Sequence, residues 1–342
     1  MKTIQKLTTK IEQLATEYVS ARLRQRFTEG IASFGLSEFT SLNTSGRMLR
    51  DSPETGKQRI YRLGRDTRMP GLIRTIITKH FLPKSGRLHL SLDHSQFGPF
   101  YIAVLALCAR KGRAIPVWLE VQRRNQELMK PLMQALKMLF TELGDDTSRV
   151  ILTMDRWFAS PQLFEFLDGY DISFICRVKS GLPVLAPWDP YDALPAGQIS
   201  HEELMVEYAE MELRLVRSDY HDGMKQEEPW FLLTNIPDTV LSRQQMLNYY
   251  AKRFEIEEFF KDIKWIQRYE WHQIKTKRVM QTILGFAFLG WWLLYSCLGD
   301  VVRKSRSRTL KRRRDRLSWF RSCWEALQRE LRQPLLGGIN FV

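Results

Sequence analysis

The alternation of apolar and polar residues changes near residue 86, and this change divides the chain. In RLHLSLDHS, Leu88, Leu90 and Leu92 alternate with polar residues, which is the period of a β-strand and puts Asp93 on the face opposite the leucines. Before this point, apolar residues recur at helical spacing between Gly, Ser and Pro breaks. The pattern predicts an N-terminal helical region followed by a sheet.

The next segments continue the sheet and then alternate strands with helices. We predict a hairpin at 101–109 and 114–122, a helix at 126–143, a strand at 150–154 that is apolar on both faces, a short helix from Pro161, and a strand at 172–179. Three strands followed by helix, strand, helix and strand are typical of a mixed α/β sheet.

Residues 180–238 interrupt this order with Gly, Pro and Asp. Within them we expect strands at about 204–216 and 229–235, and therefore a β-rich insertion. Helices resume at about 242–266 and 276–300. In the N-terminal region, the predicted helices lie at about 3–28, in the thirties, at 44–51 and at 56–66.

Basic residues exceed acidic ones, with 52 Lys and Arg against 38 Asp and Glu, so the formal net charge is +14. The excess is concentrated in residues 1–80 and in RKSRSRTLKRRRDR at 303–316. Such clusters are typical of proteins that bind a polyanion, and nucleic acid is the expected partner. For residues 303–316, a solvated tail is the alternative.

Cysteine spacing and hydropathy indicate a cytoplasmic protein. The four cysteines show no C-x-x-C spacing, so we expect neither a zinc site nor a disulfide framework. We expect no secretory signal, because MKTIQKLTTK leads into an amphipathic stretch. The apolar segment ILGFAFLGWWLLYSCLG at 283–299 predicts a buried core helix, with a membrane helix as the alternative.

Three carboxylates stand where an active site is expected. Asp93 and Asp155 follow strand segments, and Glu257 lies on the helix predicted at 242–266. Singly, each has an ordinary explanation as a turn residue, a helix cap or a surface ion pair. Open α/β sheets, however, bind ligands at the carboxyl ends of their strands, and clustered carboxylates need cations beside them. Oxygen ligands favour Mg²⁺ or Mn²⁺, and paired ions of this kind promote phosphoryl transfer.

The segment YYAKRFEIEEFFKDIK at 249–264 adds a second group of polar residues. At about 100° per residue, Tyr250, Arg253, Glu257 and Lys264 fall within roughly 60° of one another on a helix. This stripe borders the apolar face of the helix, so we expect it to be half shielded.

These residues carry a resemblance to a known family. The spacing Tyr250-x2-Arg253-x3-Glu257-x6-Lys264 resembles the Y-x2-R-x3-E-x6-K signature of bacterial insertion-sequence transposases, the cut-and-paste DDE enzymes that excise DNA through a hairpin. DRWFAS is similar to the second-carboxylate motif of that family, and DHS stands in the place of the first. PWFLLTN resembles the segment that leaves the family's β-rich insertion.

The resemblance implies an RNase H-like catalytic core in which the three carboxylates bind two Mg²⁺ or Mn²⁺ ions. It also implies a set of residues that contact DNA. The catalytic and metal-binding residues are Asp93, Asp155 and Glu257, and the DNA-binding residues are Tyr250, Arg253, Lys264, Trp230, Phe254 and Arg156. Trp230 and Phe254 are expected to hold a flipped base during hairpin formation; simple packing in the core is their alternative role.

We therefore predict a DNA transposase that acts on double-stranded transposon ends and target DNA, as a homodimer, in the bacterial cytoplasm at the nucleoid and away from membranes. The alternatives are an RNase H-like nuclease and a domesticated DNA-binding protein without catalysis. The predicted regions are an N-terminal helical DNA-binding region, a first core part, the insertion, a second core part and a basic tail, at 1–83, 84–179, 180–238, 239–300 and 301–342.

Overall fold

The computed structural model describes residues 2–36, 53–109, 113–221, 224–266, 274–304, 323–325 and 327. The helix predicted at 44–51 and residues 305–316 of the basic segment lie outside the described residues.

The elements in this part of the chain are named here in order. The helices are α1 (Lys2–Tyr18), α2 (Ala21–Gly30), α3 (Pro53–Gly64), α4 (Met69–Ile76), α5 (Met129–Leu143), α6 (Pro161–Asp168), α7 (Arg243–Ala251), α8 (Glu255–Ile266) and α9 (Lys277–Lys304). The strands are β1 (Leu88–Phe97), β2 (Phe100–Ala109), β3 (Arg113–Arg123), β4 (Val150–Met154), β5 (Ser173–Val178), β6 (Pro183–Ala186), β7 (Asp189–Pro195), β8 (Glu203–Tyr208), β9 (Met211–His221) and β10 (Met224–Thr234).

Five strands in the order β3-β2-β1-β4-β5 form what we call the core half of the sheet. β1, β2 and β3 pair antiparallel, whereas β4 runs parallel to both β1 and β5. All residues of β4 are buried, as expected for a strand covered on both faces. The predicted mixed α/β, RNase H-like fold is confirmed.

Helices cover both faces of the core half. On one face, Ile151 and Ile175 share a buried cluster with Tyr250 of α7. On the other face, Leu152 and Phe174 belong to the larger apolar cluster that also contains the buried residues of α5, α6 and α8. Because side chains alternate along a strand, the polar residues of β1, including Asp93, point toward α7.

The remaining strands extend the core half and are called the extension below. β10 pairs antiparallel with β5, and the order continues as β10-β9-β8-β6-β7, giving a sheet of ten strands. The strand predicted at 204–216 is wrong as a single element, because the chain turns at Ala209 and Glu210, both with positive φ. No Gly or Asn marks this turn in the sequence, which explains the error. β6 and β7 were not predicted.

The N-terminal helices also differ in detail from the prediction. The helix predicted at 3–28 is broken between α1 and α2, and α4, which continues as a π-helical turn at Ile77–Phe81, was not predicted. Helices α1 and α4 both pack against α9.

Helix α9 contacts the N-terminal helices and strand β3. At its crossing with the π-helical turn Ile31–Gly35, a Cβ added to Gly290 would lie 2.1 Å from the Gly35 carbonyl oxygen. Only glycine permits this approach. In the described part of the chain, one helical segment, Lys277–Cys297 of α9, is long and apolar enough to cross a membrane. Its apolar stretch is 83% buried inside the protein. The predicted buried core helix is confirmed.

Candidate active site

Parallel pairing of β1 and β4 brings two of the predicted acids to adjacent positions. The paired register ends at Leu92 and Met154, so Asp93 and Asp155 are the next residues on neighbouring strands. The prediction that Asp93 ends its strand is wrong, because β1 continues past it, antiparallel to β2, with Asp93 opposite Val104. Only the pairing of β1 with β4 stops just before Asp93.

The ordinary explanations for these two acids are not what the structure shows. Asp155 precedes the 3₁₀ turn Arg156–Phe158, but its side chain makes no capping hydrogen bond. The Asp93 carboxylate, in a residue only 9% exposed, accepts the backbone N–H of His94 at 2.7 Å within a strand rather than in a turn. Neither side chain therefore caps a helix or stabilises a turn.

Arg253 connects Asp93 to the third acid. Its Nη1 donates to Asp93 Oδ2 at 2.9 Å, and its Nη2 donates to Glu257 Oε1 at 2.8 Å. The pairing of Arg253 with Glu257 is thus part of a buried bridge and not an isolated surface pair, since Arg253 is only 3% exposed. The guanidinium thus links β1 to α8, which also contact each other through Phe97 and Phe260.

The helix predicted at 242–266 is interrupted where this bridge forms. The 3₁₀ turn Lys252–Phe254 separates α7 from α8, so the helical angle used to predict a single stripe does not apply across it. Tyr250 is fully buried and Arg253 nearly so, whereas Glu257 and Lys264 are partly exposed. The Lys264 ammonium lies 5.1 Å from the centre of the Phe97 ring.

The two aromatic residues expected to hold a base lie together but differ in exposure. Trp230 is 3% exposed and packs edge-on against Tyr250 at 4.9 Å. Phe254 is 39% exposed, and its ring centre lies 6.1 Å from that of Trp230. A base can therefore reach Phe254 directly, whereas Trp230 is accessible only after its neighbours move.

Arg156 is paired with an acid outside the predicted site. Its guanidinium pairs with Glu228 of β10 at 3.1 Å, and Glu228 also pairs with Arg177 at 2.8 Å. Its side chain is 42% exposed, so it is available to a ligand.

Two residues beside the acids, His94 and Trp157, were not singled out from the sequence. The ring centres of His94 and Trp157 are 4.4 Å apart, and Trp157 is 44% exposed. Both are neighbours of the predicted acids along the chain, in DHS and DRWF, and that adjacency was the available signal. Their mutual contact depends on the pairing of β1 with β4, which no local pattern reveals.

The electrostatics of the site follow from burial. Burial raises the pKa of Asp93 to about 6, although the nearby Arg253 charge and the His94 N–H lower it; Asp155 and Glu257 raise it further. Burial lowers the pKa of Arg253, but Tyr250 and the three carboxylates outweigh this effect and raise it. Burial also raises the pKa of Tyr250 to about 12. A positive charge beside Asp93 therefore favours the ionised form of this buried carboxylate.

The donor set fits a hard divalent cation in chemistry, because Asp93, Asp155 and Glu257 offer only carboxylate oxygens. Across the described residues, no three His, Cys, Asp or Glu side chains converge closely enough to hold one ion. In this structure the Arg253 guanidinium lies between Asp93 and Glu257.

Comparison with known proteins agrees with this architecture. The family described as the transposase DDE domain matches residues 103–293, which is more than half of the chain. The match runs from β2 into α9 and includes Asp155 and Glu257, whereas Asp93 precedes it. Among curated proteins, none matches the chain. The chain belongs to the family of transposases with a DDE domain, which are DNA-processing enzymes.

Proposed function

We propose that this transposase excises and inserts an insertion sequence by metal-dependent cleavage and joining of DNA strands, with a hairpin intermediate. The observation that carries the proposal is the placement of the three acids: Asp93 and Asp155 follow paired positions on adjacent strands, and Arg253 links Asp93 to Glu257 through hydrogen bonds of 2.9 and 2.8 Å. Family membership supplies DNA as the substrate class.

Asp93, Asp155 and Glu257 are the proposed ligands of two Mg²⁺ or Mn²⁺ ions. When bound, such ions activate the attacking oxygen and stabilise the leaving oxygen of a phosphodiester. The chain itself contributes the geometry: two acids come from adjacent strands of a buried sheet, and the third comes from a helix that packs on it. Ligands on packed elements are held more rigidly than ligands on loops.

The basic residues near the acids are proposed to bind the DNA backbone. Lys264 is partly exposed on α8, the helix that carries Glu257, and Arg156 is exposed immediately after Asp155. Arg253 is proposed to bind a phosphate beside the scissile bond. Its guanidinium carbon lies 5.6 Å from the centre of the Tyr250 ring, which packs against the guanidinium. Fixing the backbone on both sides of the acids aligns the phosphodiester for in-line attack.

The hairpin requires a 3′ hydroxyl to attack the opposite strand, so at least one base has to leave the stack. Phe254 is the exposed platform available for that base, and Trp230, packed behind it, is the second candidate. A stacked base is worth about 1–3 kcal/mol per aromatic platform, which is comparable to the cost of unstacking. Phe254→Ala is expected to slow hairpin formation more than the first nick, because only the second step needs the displaced base.

Trp157 extends the proposed DNA surface on the other side of the acids. Its exposed ring lies on His94, whose backbone N–H binds Asp93, so a base stacked on Trp157 would sit close to the carboxylates. The proposed assembly on DNA is a homodimer at the nucleoid, with the five regions bounded as the sequence predicts and the N-terminal helices contacting the transposon end.

The test is a cleavage assay with a duplex that carries the short inverted repeats flanking the coding region. One strand is labelled at its 5′ end, MgCl₂ is added, and the products are separated on a denaturing gel. The expected result is a nicked strand followed by a hairpin with the wild-type chain, and DNA binding without cleavage with Asp155→Asn.

The two alternatives predict different gels. Cleavage without any hairpin favours an RNase H-like nuclease, and specific binding without cleavage favours a domesticated DNA-binding protein. If Asp155→Asn cuts as well as the wild type, the proposed site is wrong.

A further inference from the structure

We propose that Arg253 is the resident cation of the carboxylate site in the DNA-free protein, and that it gives up Asp93 and Glu257 to a divalent ion when a DNA phosphate binds its guanidinium. The first half of this statement concerns only the protein and the ion. The second half rests on the proposed function, because it assigns the phosphate to DNA.

The geometry places one guanidinium on two carboxylates from different elements. Nη1 binds Asp93 of β1 at 2.9 Å, and Nη2 binds Glu257 of α8 at 2.8 Å, so each acid receives a single hydrogen bond. A guanidinium bound to one acid alone commonly pairs with both of its oxygens. Here the forked donors are divided between two acids, and the arginine holds those acids in the relative position that an ion would otherwise fix.

Apart from its two carboxylates, Arg253 also interacts with the Tyr250 hydroxyl. Among the described residues, no hydrogen-bond partner is found for its buried Nε, and no backbone carbonyl accepts from its guanidinium. Its other close neighbours are the rings of Phe254 and Tyr250, at 4.6 and 5.6 Å from the guanidinium carbon. Such ring contacts also stabilise a cation that has moved along the ring face. The guanidinium is therefore tied to the site by its two carboxylates.

Metal and arginine compete for the same oxygens. Asp93, Asp155, Glu257 and Arg253 together carry a formal charge of −2 when all are ionised, so the site still attracts positive charge with the arginine in place. An ion that takes oxygens from both Asp93 and Glu257 leaves Arg253 buried without an anion, which is unfavourable. A phosphate removes this penalty, because its oxygens match the guanidinium fork.

The exchange couples the two ligands. DNA that binds Arg253 frees the carboxylates for the ion, and by thermodynamic reciprocity the ion then tightens DNA binding by the same factor. Arg253 is accordingly a positioning residue for the metal site before it is a phosphate contact.

The first experiment measures Mn²⁺ binding to DNA-free protein by isothermal titration calorimetry, with the Mn²⁺-induced rise in thermal unfolding temperature as a second readout. Arg253→Met is compared with the wild type and with Arg177→Met, which removes the same charge from a nearby residue paired with Glu228 instead of with a proposed ligand. Arg253→Gln, which retains amide donors, is the second variant if Arg253→Met does not fold.

The expected result is that removing Arg253 tightens Mn²⁺ binding by about tenfold or more and enlarges the thermal shift, while Arg177→Met remains within about twofold of the wild type. Unchanged or weaker Mn²⁺ binding after removal of Arg253 overturns the proposal, since a purely structural clamp loses ion affinity when deleted. An equal gain in Arg177→Met also overturns it, because net charge alone then explains the result.

The second experiment repeats the titration with a saturating inverted-repeat duplex and Ca²⁺ in place of Mn²⁺, to avoid cleavage. DNA is expected to tighten ion binding to the wild type about tenfold, within the range usual for coupled sites, and to have little effect on Arg253→Met. If removal of Arg253 tightens ion binding without DNA, but DNA does not tighten ion binding to the wild type, Arg253 remains the resident cation. The second half of the proposal, in which a DNA phosphate binds Arg253, is then wrong. Failure of cleavage in the earlier assay affects neither titration.

Discussion

Two buried arginines, Arg214 in the extension and Arg253 beside the core half, are held in different ways. In the extension, Arg214 is 2% exposed; it binds one carboxylate, Glu203, and two backbone carbonyls, those of Ile236 and Leu241. In the core half, Arg253 is 3% exposed and binds two carboxylates; among the described residues, no backbone carbonyl accepts from it.

The difference separates a structural arginine from one in the proposed active site. Arg214 is paired with one carboxylate, Glu203, which balances its charge, and with two backbone carbonyls. Around Arg253, three acids face one cation, so the site has an excess of negative charge that a further cation can balance. Both arginines are buried. They differ in the number of acids around them and in whether backbone carbonyls accept from them.

The largest expected effect concerns the acids themselves. Asp93→Asn, Asp155→Asn and Glu257→Gln should each lower the rate of DNA cleavage by about 10³-fold or more, because several kcal/mol of transition-state stabilisation depend on the ligands of the metal ions. Glu203→Gln, which neutralises the acid bound to the arginine of the extension, should leave the rate within about threefold. Single-turnover cleavage of the labelled duplex measures both, and equal losses in the two halves would erase the distinction.

The next effect concerns stability. Arg214→Met should lower the free energy of unfolding by about 2–4 kcal/mol, because two buried carbonyls lose their donor, and added MnCl₂ should not restore it. Arg253→Met should also be less stable, since Asp93 loses its cation, but MnCl₂ should restore much of the loss. Urea unfolding of both variants with and without MnCl₂ provides the measurement. Restoration of Arg214→Met by Mn²⁺ contradicts the comparison.

Acid sensitivity should also differ between the halves. In the core half, burial lowers the pKa of His89 to about 3, with the Lys252 charge adding to the effect. Because the folded pKa lies below that of the unfolded chain, His89 stabilises the fold above the unfolded pKa and loses that contribution as pH falls, by about 3 kcal/mol between pH 6.5 and pH 4.

His89→Gln should therefore lose less stability on acidification than the wild type. His201→Gln, at an exposed position in the extension, should follow the wild-type curve. The measurement is the free energy of unfolding by urea at several pH values. Parallel curves for wild type and His89→Gln would show that another group controls the acid response.

The smallest expected effect compares two exposed tryptophans that each lie on a histidine ring. Trp157, beside the acids, is 44% exposed on His94, and Trp188, in the extension, is 54% exposed on His201. Trp157→Ala should weaken binding to the inverted-repeat duplex about tenfold, as expected for one lost stacking platform, and Trp188→Ala should change it less than twofold. Fluorescence anisotropy of the labelled duplex measures this. Equal effects would mean that exposure alone, independent of position, governs the contact.

The sequence predicted the core half of the fold well and the extension less well. Strands such as β1 and β4 are specified by strong local patterns, alternation in one case and a continuous apolar run in the other. In the extension, the Ala209–Glu210 turn carries no turn-specific residues, β6 has only four residues and begins with proline, and β7 contains two prolines and two aspartates. Their stability comes from pairing with neighbouring strands, which local pattern does not record.

For the site, the sequence by itself determined which residues are the candidates for the chemistry and which helix carries the signature spacing. Residue type and spacing are local properties, so the three acids, Arg253 and the DDE family could be predicted from them. Tertiary structure alone decided that Asp93 and Asp155 are adjacent in register and that Tyr250 and Trp230 are buried. It also decided that Arg253 divides its donors between two acids, because that arrangement depends on a 3₁₀ turn and on contacts between residues 160 positions apart in the chain.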